Sequence, residues 1–97
     1  MSELSIKIEK EGNKGRAYAT ADGTNSLAEM TFSITGAGMW IIDHTEVDES
    51  LRGKGVGRKM LDLIVENARE EIIKILPLCP YAKSVFDKDE SIGDVLR

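Results

Sequence analysis

Ser50-Leu51-Arg52-Gly53-Lys54-Gly55-Val56-Gly57-Arg58 is the stretch whose reading decides the fold of this 97-residue chain. It separates two halves of different period. Upstream, apolar residues alternate with polar ones, as in half-buried strands. Downstream, they recur about every four residues, as on one face of a helix. Glycines at 53, 55 and 57 remove the Cβ atom at every second position, so the backbone turns tightly and a ligand can approach it. The first amides of the following helix have no intrahelical acceptor, and the helix dipole adds partial positive charge there. Arg52, Lys54, Arg58 and Lys59 place four cations in this short run. The combination suits a pyrophosphate; the competing reading is a structural turn with solvated cations.

Working outward, Leu4, Ile6 and Ile8 alternate with Ser5, Lys7 and Glu9 in a first strand. Residues 11–15 form a glycine-containing turn, and residues 16–21 a second strand of small residues around Tyr18. Asp22-Gly23 signals another turn. Ala28, Met30, Phe32 and Ile34 mark the third strand, and residues 39–47 the fourth. Met39, Ile41 and Val47 fall on one face of the fourth strand and Trp40 and Ile42 on the other, which predicts a strand covered on both sides. After the loop, Val56, Met60, Ile64 and Ala68 define an amphipathic helix over residues 55–71. Residues 72–78 read as a buried strand, residues 81–87 as a short helix behind Pro80, and residues 91–96 as one further helical turn. The expected fold is α+β in one domain, residues 1–97: four antiparallel strands, a crossover helix, a parallel fifth strand and a short C-terminal helix.

Composition narrows the function. The chain is 41% hydrophobic and 31% charged, which excludes disorder, and its apolar runs are too short to span a membrane. Residues 1–10 carry charges throughout and lack the apolar core of a signal peptide. The single cysteine makes no internal disulfide and points to a reducing, cytoplasmic setting. One Cys and one His fall short of a structural zinc site. A net charge of −4 argues against nucleic acid as partner. An exposed edge strand gives a route to a weak homodimer without demanding one, so a monomer or weak homodimer is expected.

Two phosphate-binding motifs fail on spacing. A P-loop needs Lys-Ser/Thr after its last glycine, and Gly57 is followed by Arg58-Lys59. A dinucleotide fingerprint needs Gly-x-Gly-x-x-Gly after a parallel strand, and here the spacing is Gly53-x-Gly55-x-Gly57.

Arg52-x-x-Gly55-x-Gly57 resembles the Arg/Gln-x-x-Gly-x-Gly/Ala signature of the GNAT superfamily of acyl-CoA-dependent N-acyltransferases, in its usual place after the fourth strand. His44-Thr45-Glu46-Val47, the loop, and Cys79-Pro80-Tyr81 occur in the same order as in a subgroup of minimal, GNAT-like proteins of similar length. The resemblance covers residues 42–87, and the N-terminal strands more loosely. It implies that the fourth and fifth strands splay apart and that coenzyme A or acetyl-CoA lies between them. The pyrophosphate would meet backbone amides from Gly53, Lys54, Gly55, Val56 and Gly57 to Arg58. The pantetheine arm would pair with the fourth strand near Ile41, Ile42 and His44, up to Thr45. The implied activity is N-acetyl transfer to an unidentified amine; a module that binds coenzyme A without transferring anything is the alternative. One departure is plain. The helix pair that follows the first strand in longer family members, and builds part of the acceptor site, is replaced by residues 11–15.

Four residues carry candidate chemistry. His44 has a pKa range suited to taking a proton from an attacking amine, and equally suits a local hydrogen bond at a strand end. Glu46 lies on the same face and reads as a partner for a cation or an amide. Cys79 closes the fifth strand. It has three readings: a nucleophile that carries the acyl group, a partner in a mixed disulfide with coenzyme A, or a small apolar lining residue. The implied fold places it opposite His44 across the cleft. Tyr81 is either a general acid toward the departing thiolate, as the resemblance implies, or a packing residue. Trp40, Phe32 and Phe86 belong to the core, and residues 87–90 read as a solvated charge run.

Overall fold

Alternating segments become strands and the period-3.6 segment becomes a helix in the computed structural model of the chain, which describes residues 4–97. β1 (Ser5–Glu11), β2 (Lys14–Thr20), β3 (Ser26–Ile34) and β4 (Met39–Val47) form an antiparallel meander. A short 3-10 turn, Glu49–Leu51, leads into the glycine loop. α1 (Val56–Glu71) then crosses over, and β5 (Lys74–Pro77) pairs with β4 in parallel. α2 (Pro80–Lys88) and a 3-10 helix, Glu90–Val95, follow. The sheet order is β1-β2-β3-β4-β5, which is the expected arrangement.

The core lies between α1 and one face of the sheet. Val56, Met60, Leu61, Ile64, Val65 and Ala68 of α1 are buried against Ala17, Ala19, Ala28, Met30, Phe32, Trp40, Ile42 and Ile75. A large apolar side chain removed from water contributes about 1.5–3 kcal/mol, so this stripe anchors the helix. Phe32 and Trp40 stack with ring centroids 4.8 Å apart. Gly15 makes that possible, because a Cβ there would come within 2.4 Å of the Phe32 ring.

The other face differs from expectation. Lys7, Glu9, Arg16, Tyr18, Glu29, Thr31, Ser33, Ile41, His44 and Glu46 share it, and none is buried. Arg16 ties this face together, donating to Glu9 at 2.7 Å and to Glu29 at 2.9 Å above the Tyr18 ring. β4 is therefore covered on one side only, and Met39 and Ile41 stay half-buried.

A bulge in β4 accounts for a second difference. Thr31 pairs with His44 while Phe32 pairs with Ile42, so Asp43 has no partner in β3. One inserted residue exchanges the faces beyond it. Thr45 and Val47 join Trp40 and Ile42 on the covered face, opposite Met30 and Ala28. His44 and Glu46 remain on the open face.

β4 and β5 pair only from Met39↔Lys74 to Ile42↔Pro77. Pro77 has no N–H to continue the ladder. The next two amides, of Leu78 and Cys79, both donate to the Ile42 carbonyl at 3.1 and 3.2 Å, and the chain turns into α2. β4 runs on through residues 43–47 with β3 on one side and no strand on the other. This is the expected splay.

The expected strand 72–78 is shorter at both ends, and Leu78, expected in it as a buried residue, is exposed. Ile72 instead ends α1 in a left-handed conformation (φ 57°), with its side chain 90% exposed. At the far end, Leu96 pairs with Ile75 on the outer edge of β5. No helix among the described residues is long and apolar enough to cross a membrane.

Candidate functional site

The glycine loop, the unpaired end of β4 and the start of α2 enclose a cleft of about 240 Å³, lined by Thr45, Val47, Leu51, Arg52, Gly53, Gly55, Val56, Gly57 and Tyr81. Each glycine of the loop has its own physical reason. Gly53 (φ 80°) and Gly55 (φ 72°) adopt left-handed backbone that a Cβ would strain, and both face open space. Gly57 is helical; a Cβ there would stand 3.0 Å from the Tyr81 ring. Its bareness lets Tyr81 lie across the first turn of α1.

Gly55 caps α1 without a side-chain hydrogen bond. The helical ladder begins with the Lys59 amide donating to the Gly55 carbonyl at 3.2 Å. The amides of Val56, Gly57 and Arg58 precede it and have no acceptor among the described residues. Such amides at a helix start are suited to an anion. Arg52, Lys54 and Lys59 are exposed beside them and form no ion pair among the described residues. These features fit a pyrophosphate, and the unpaired edge of β4 fits an extended amide chain.

Arg58 departs from the expected role. Its Nε donates to Asp62 Oδ1 at 2.8 Å and its Nη2 to Asp89 Oδ2. These two carboxylates, Asp62 first, raise the guanidinium pKa further. The guanidinium is bonded within the protein, and the amide is the group of Arg58 left without an acceptor among the described residues. Asp89, read from sequence as part of a solvated charge run, is thus a structural partner. Ser91 and Arg58 hold its carboxyl down at about 2.

Ile42 also differs. Its side chain is buried, and its carbonyl already accepts from Leu78 and Cys79. The unpaired backbone of β4 begins one residue later, at Asp43.

His44 and Cys79 are not brought face to face. Thr45 takes that place, with its Oγ1 3.1 Å from Cys79 Sγ. Cys79 is 3% exposed and precedes Pro80 at the start of α2. His44 projects from the open face, where it lines a second cavity of about 360 Å³ with Glu9, Glu11, Lys14, Arg16, Thr31 and Asp43. Adjacent strand residues point to opposite faces, so the bulge decides which of His44 and Thr45 meets the cysteine. Glu46 lines a separate cavity with Glu29 and Asp48. Tyr81 stands at the cleft, and burial raises its hydroxyl pKa against the opposing pull of Arg58. Thr45 enters the sequence reading as the end of the stretch that would pair with pantetheine, not as the partner of Cys79. It sat in the quoted His44-Thr45-Glu46-Val47 segment, but only its face made it relevant.

The sequence matches the family described as GCN5-related N-acetyl-transferase over residues 16–95, and the chain belongs to that family. A GCN5-like protein from Staphylococcus aureus, solved by NMR, is 41% identical; the alignment covers 100% of this chain and 91% of that one, with a TM-score of 0.75. Two longer enzymes share the fold. The ribosomal-protein-alanine N-acetyltransferase of Brucella melitensis is 19% identical over 80% of this chain and 62% of its own, at a TM-score of 0.68. The ribosomal-protein-S18-alanine N-acetyltransferase of Escherichia coli is 15% identical over 87% of this chain and 54% of its own, at 0.66. A search of curated proteins finds no match.

Proposed function

We propose that this chain is an acetyl-CoA-dependent N-acetyltransferase that holds the coenzyme between β4 and β5 and acts on an amine. One observation carries the reading. The three partnerless amides of α1 and the unpaired edge of β4 converge on one cleft. Amides 56–58, with Arg52 and Lys54, would bind the pyrophosphate. Residues 43–47 of β4 would take the pantetheine amides. Bound acetyl-CoA supplies an activated thioester carbonyl.

The cleft and His44 lie on opposite faces of β4, joined around its unpaired edge. The donor therefore enters from the α1 side and the amine from the open sheet face. In the transfer, a bond forms from the acyl carbon to Cys79 Sγ as its bond to the coenzyme sulfur breaks, and the thiol proton passes to that sulfur. The amine then displaces Cys79 Sγ, and its surplus proton passes to His44. Tyr81 relays the thiol proton of the first step: its hydroxyl protonates the coenzyme thiolate as it departs and takes up the proton given by the Cys79 thiol.

Titration calorimetry with coenzyme A, followed by release of free thiol from acetyl-CoA across a panel of amines, tests the reading. Absence of coenzyme binding sinks it. Binding without turnover on any amine favours a non-catalytic coenzyme A module instead. The bare sheet face, which leaves the acceptor side without helices, speaks for that second reading.

A further inference from the structure

Arg58 ends the glycine loop, yet its guanidinium is bonded to Asp62 on its own helix and to Asp89 at the far end of α2. We propose that Arg58 is a positioning residue, whose guanidinium ties Asp89 to the first turn of α1 and thereby holds Tyr81 at the cleft wall and Cys79 against Thr45. The proposal builds on the cleft reading above and assigns the means by which that wall is kept in place.

α2 has nine residues, too few to be a stable helix by itself, so its position depends on tertiary anchors. Its start is fixed by the Cys79 amide on the Ile42 carbonyl, and its middle by buried Ala82 and Phe86. Its end is fixed at Asp89, where one carboxylate joins three elements. Asp89 Oδ2 accepts from Arg58 on α1, and Asp89 Oδ1 accepts from the Ser91 amide at 2.9 Å and its hydroxyl at 2.6 Å. The Asp89 amide itself closes the last turn of α2 on the Val85 carbonyl.

The tie acts where the cleft is built. Arg58 follows Gly57, the residue against which Tyr81 packs. α2 is thus gripped at both ends by one turn of α1, through the Tyr81 ring near its start and Asp89 at its end. A guanidinium bonded to two carboxylates has most of its charge answered locally, which makes it a poor additional ligand for phosphate. The following 3-10 helix has a separate tie, since Arg69 donates to Asp94 at 2.7 and 2.9 Å and to the Ser91 carbonyl at 2.8 Å. Losing Arg58 should therefore loosen α2 and leave the 3-10 helix docked.

The test compares Arg58→Gln, Arg58→Lys, Asp89→Asn and, as a control, Arg69→Gln in the full chain. Cys79, the sole cysteine and 3% exposed, reports on the wall through its rate of alkylation by iodoacetamide. Arg58→Gln and Asp89→Asn are expected to raise that rate about tenfold, the scale of one charge-assisted bond lost from a local opening. Both should shift the coenzyme A dissociation constant by the same factor, to within about twofold of each other, because both release the same tie. Arg58→Lys should recover part of the protection, and Arg69→Gln should change neither quantity. The proposal fails if Arg58→Gln weakens coenzyme binding tenfold or more while Asp89→Asn does not, because Arg58 is then a phosphate ligand. It also fails if alkylation stays at the wild-type rate in both variants. A wild-type protein that binds no coenzyme A would overturn the proposed function, while the alkylation rates would still decide the tie.

Discussion

Thr45 Oγ1 lies 3.1 Å from Cys79 Sγ, so one polar contact joins the unpaired end of β4 to the start of α2. It also sets the thiol on the side of β4 opposite His44.

If Cys79 carries the acyl group, incubation with acetyl-CoA and no amine leaves one acetyl group on the protein. Intact-mass and peptide analysis should locate it on Cys79. Thr45→Val keeps the shape and removes the hydroxyl; it should slow this acetylation while changing stability by only about 1 kcal/mol. Full amine transfer with no acetylated protein at any time would mean direct transfer and remove Cys79 from the pathway.

Gly57→Ala sets two effects against each other. Alanine is favoured over glycine by up to about 1 kcal/mol in a helix, and by less in the first turn, where Gly57 stands. Its Cβ, however, would meet the Tyr81 ring at 3.0 Å. The single variant should gain nothing in stability and should lose coenzyme affinity as Tyr81 is displaced. Adding Tyr81→Ala should release the full helix gain in urea unfolding. A stability gain already present in the single variant would show that Tyr81 does not need the bare position.

Ile72 is a β-branched residue in left-handed backbone with its side chain in solvent. Glycine relieves that strain and gives up almost no packing. Ile72→Gly should stabilise the protein by about 1 kcal/mol, seen as a higher denaturant midpoint at unchanged slope. A lower midpoint would show that the exposed side chain contributes contacts absent from this fold.

Acid should weaken the protein through Asp89. Its carboxyl is held at about 2 by Ser91 and Arg58, below the ordinary 3.8. A depressed carboxylate stabilises the fold above the unfolded value and loses that contribution as pH falls through the folded one. Asp48 and Asp94 are shifted the same way, by Ser50 and Arg69. Thermal midpoints should therefore drop between about pH 4 and pH 2. Asp89→Asn should make that drop shallower. An identical slope in the variant would place the titration elsewhere.

Much of this was legible from residue order alone. Leu4, Ile6 and Ile8, the run Ala28 to Ile34, and the four-residue spacing from Val56 to Ala68 each declare their own element, because burial on one face imposes a period on the chain. The loop glycines were legible as a turn that exposes amides, and Arg52-x-x-Gly55-x-Gly57 as a family signature. Asp43 carried no such mark. A bulge changes the count of residues between faces without changing composition, so the sequence placed Val47 on the wrong face and set His44 opposite Cys79.

What the sequence by itself determined is therefore local and periodic: the order of elements, the crossover at the glycine loop, and the stripe of α1 that forms the core. Tertiary structure alone decided which residues meet. Thr45 reaches Cys79, Gly57 lies under Tyr81, and Arg58 turns to Asp89, 31 positions away. The physical reason is that a period fixes only the face a residue presents. Its partner depends on bulges, on the end of strand pairing at Pro77, and on where a short helix comes to rest, and these arise from contacts between distant parts of the chain.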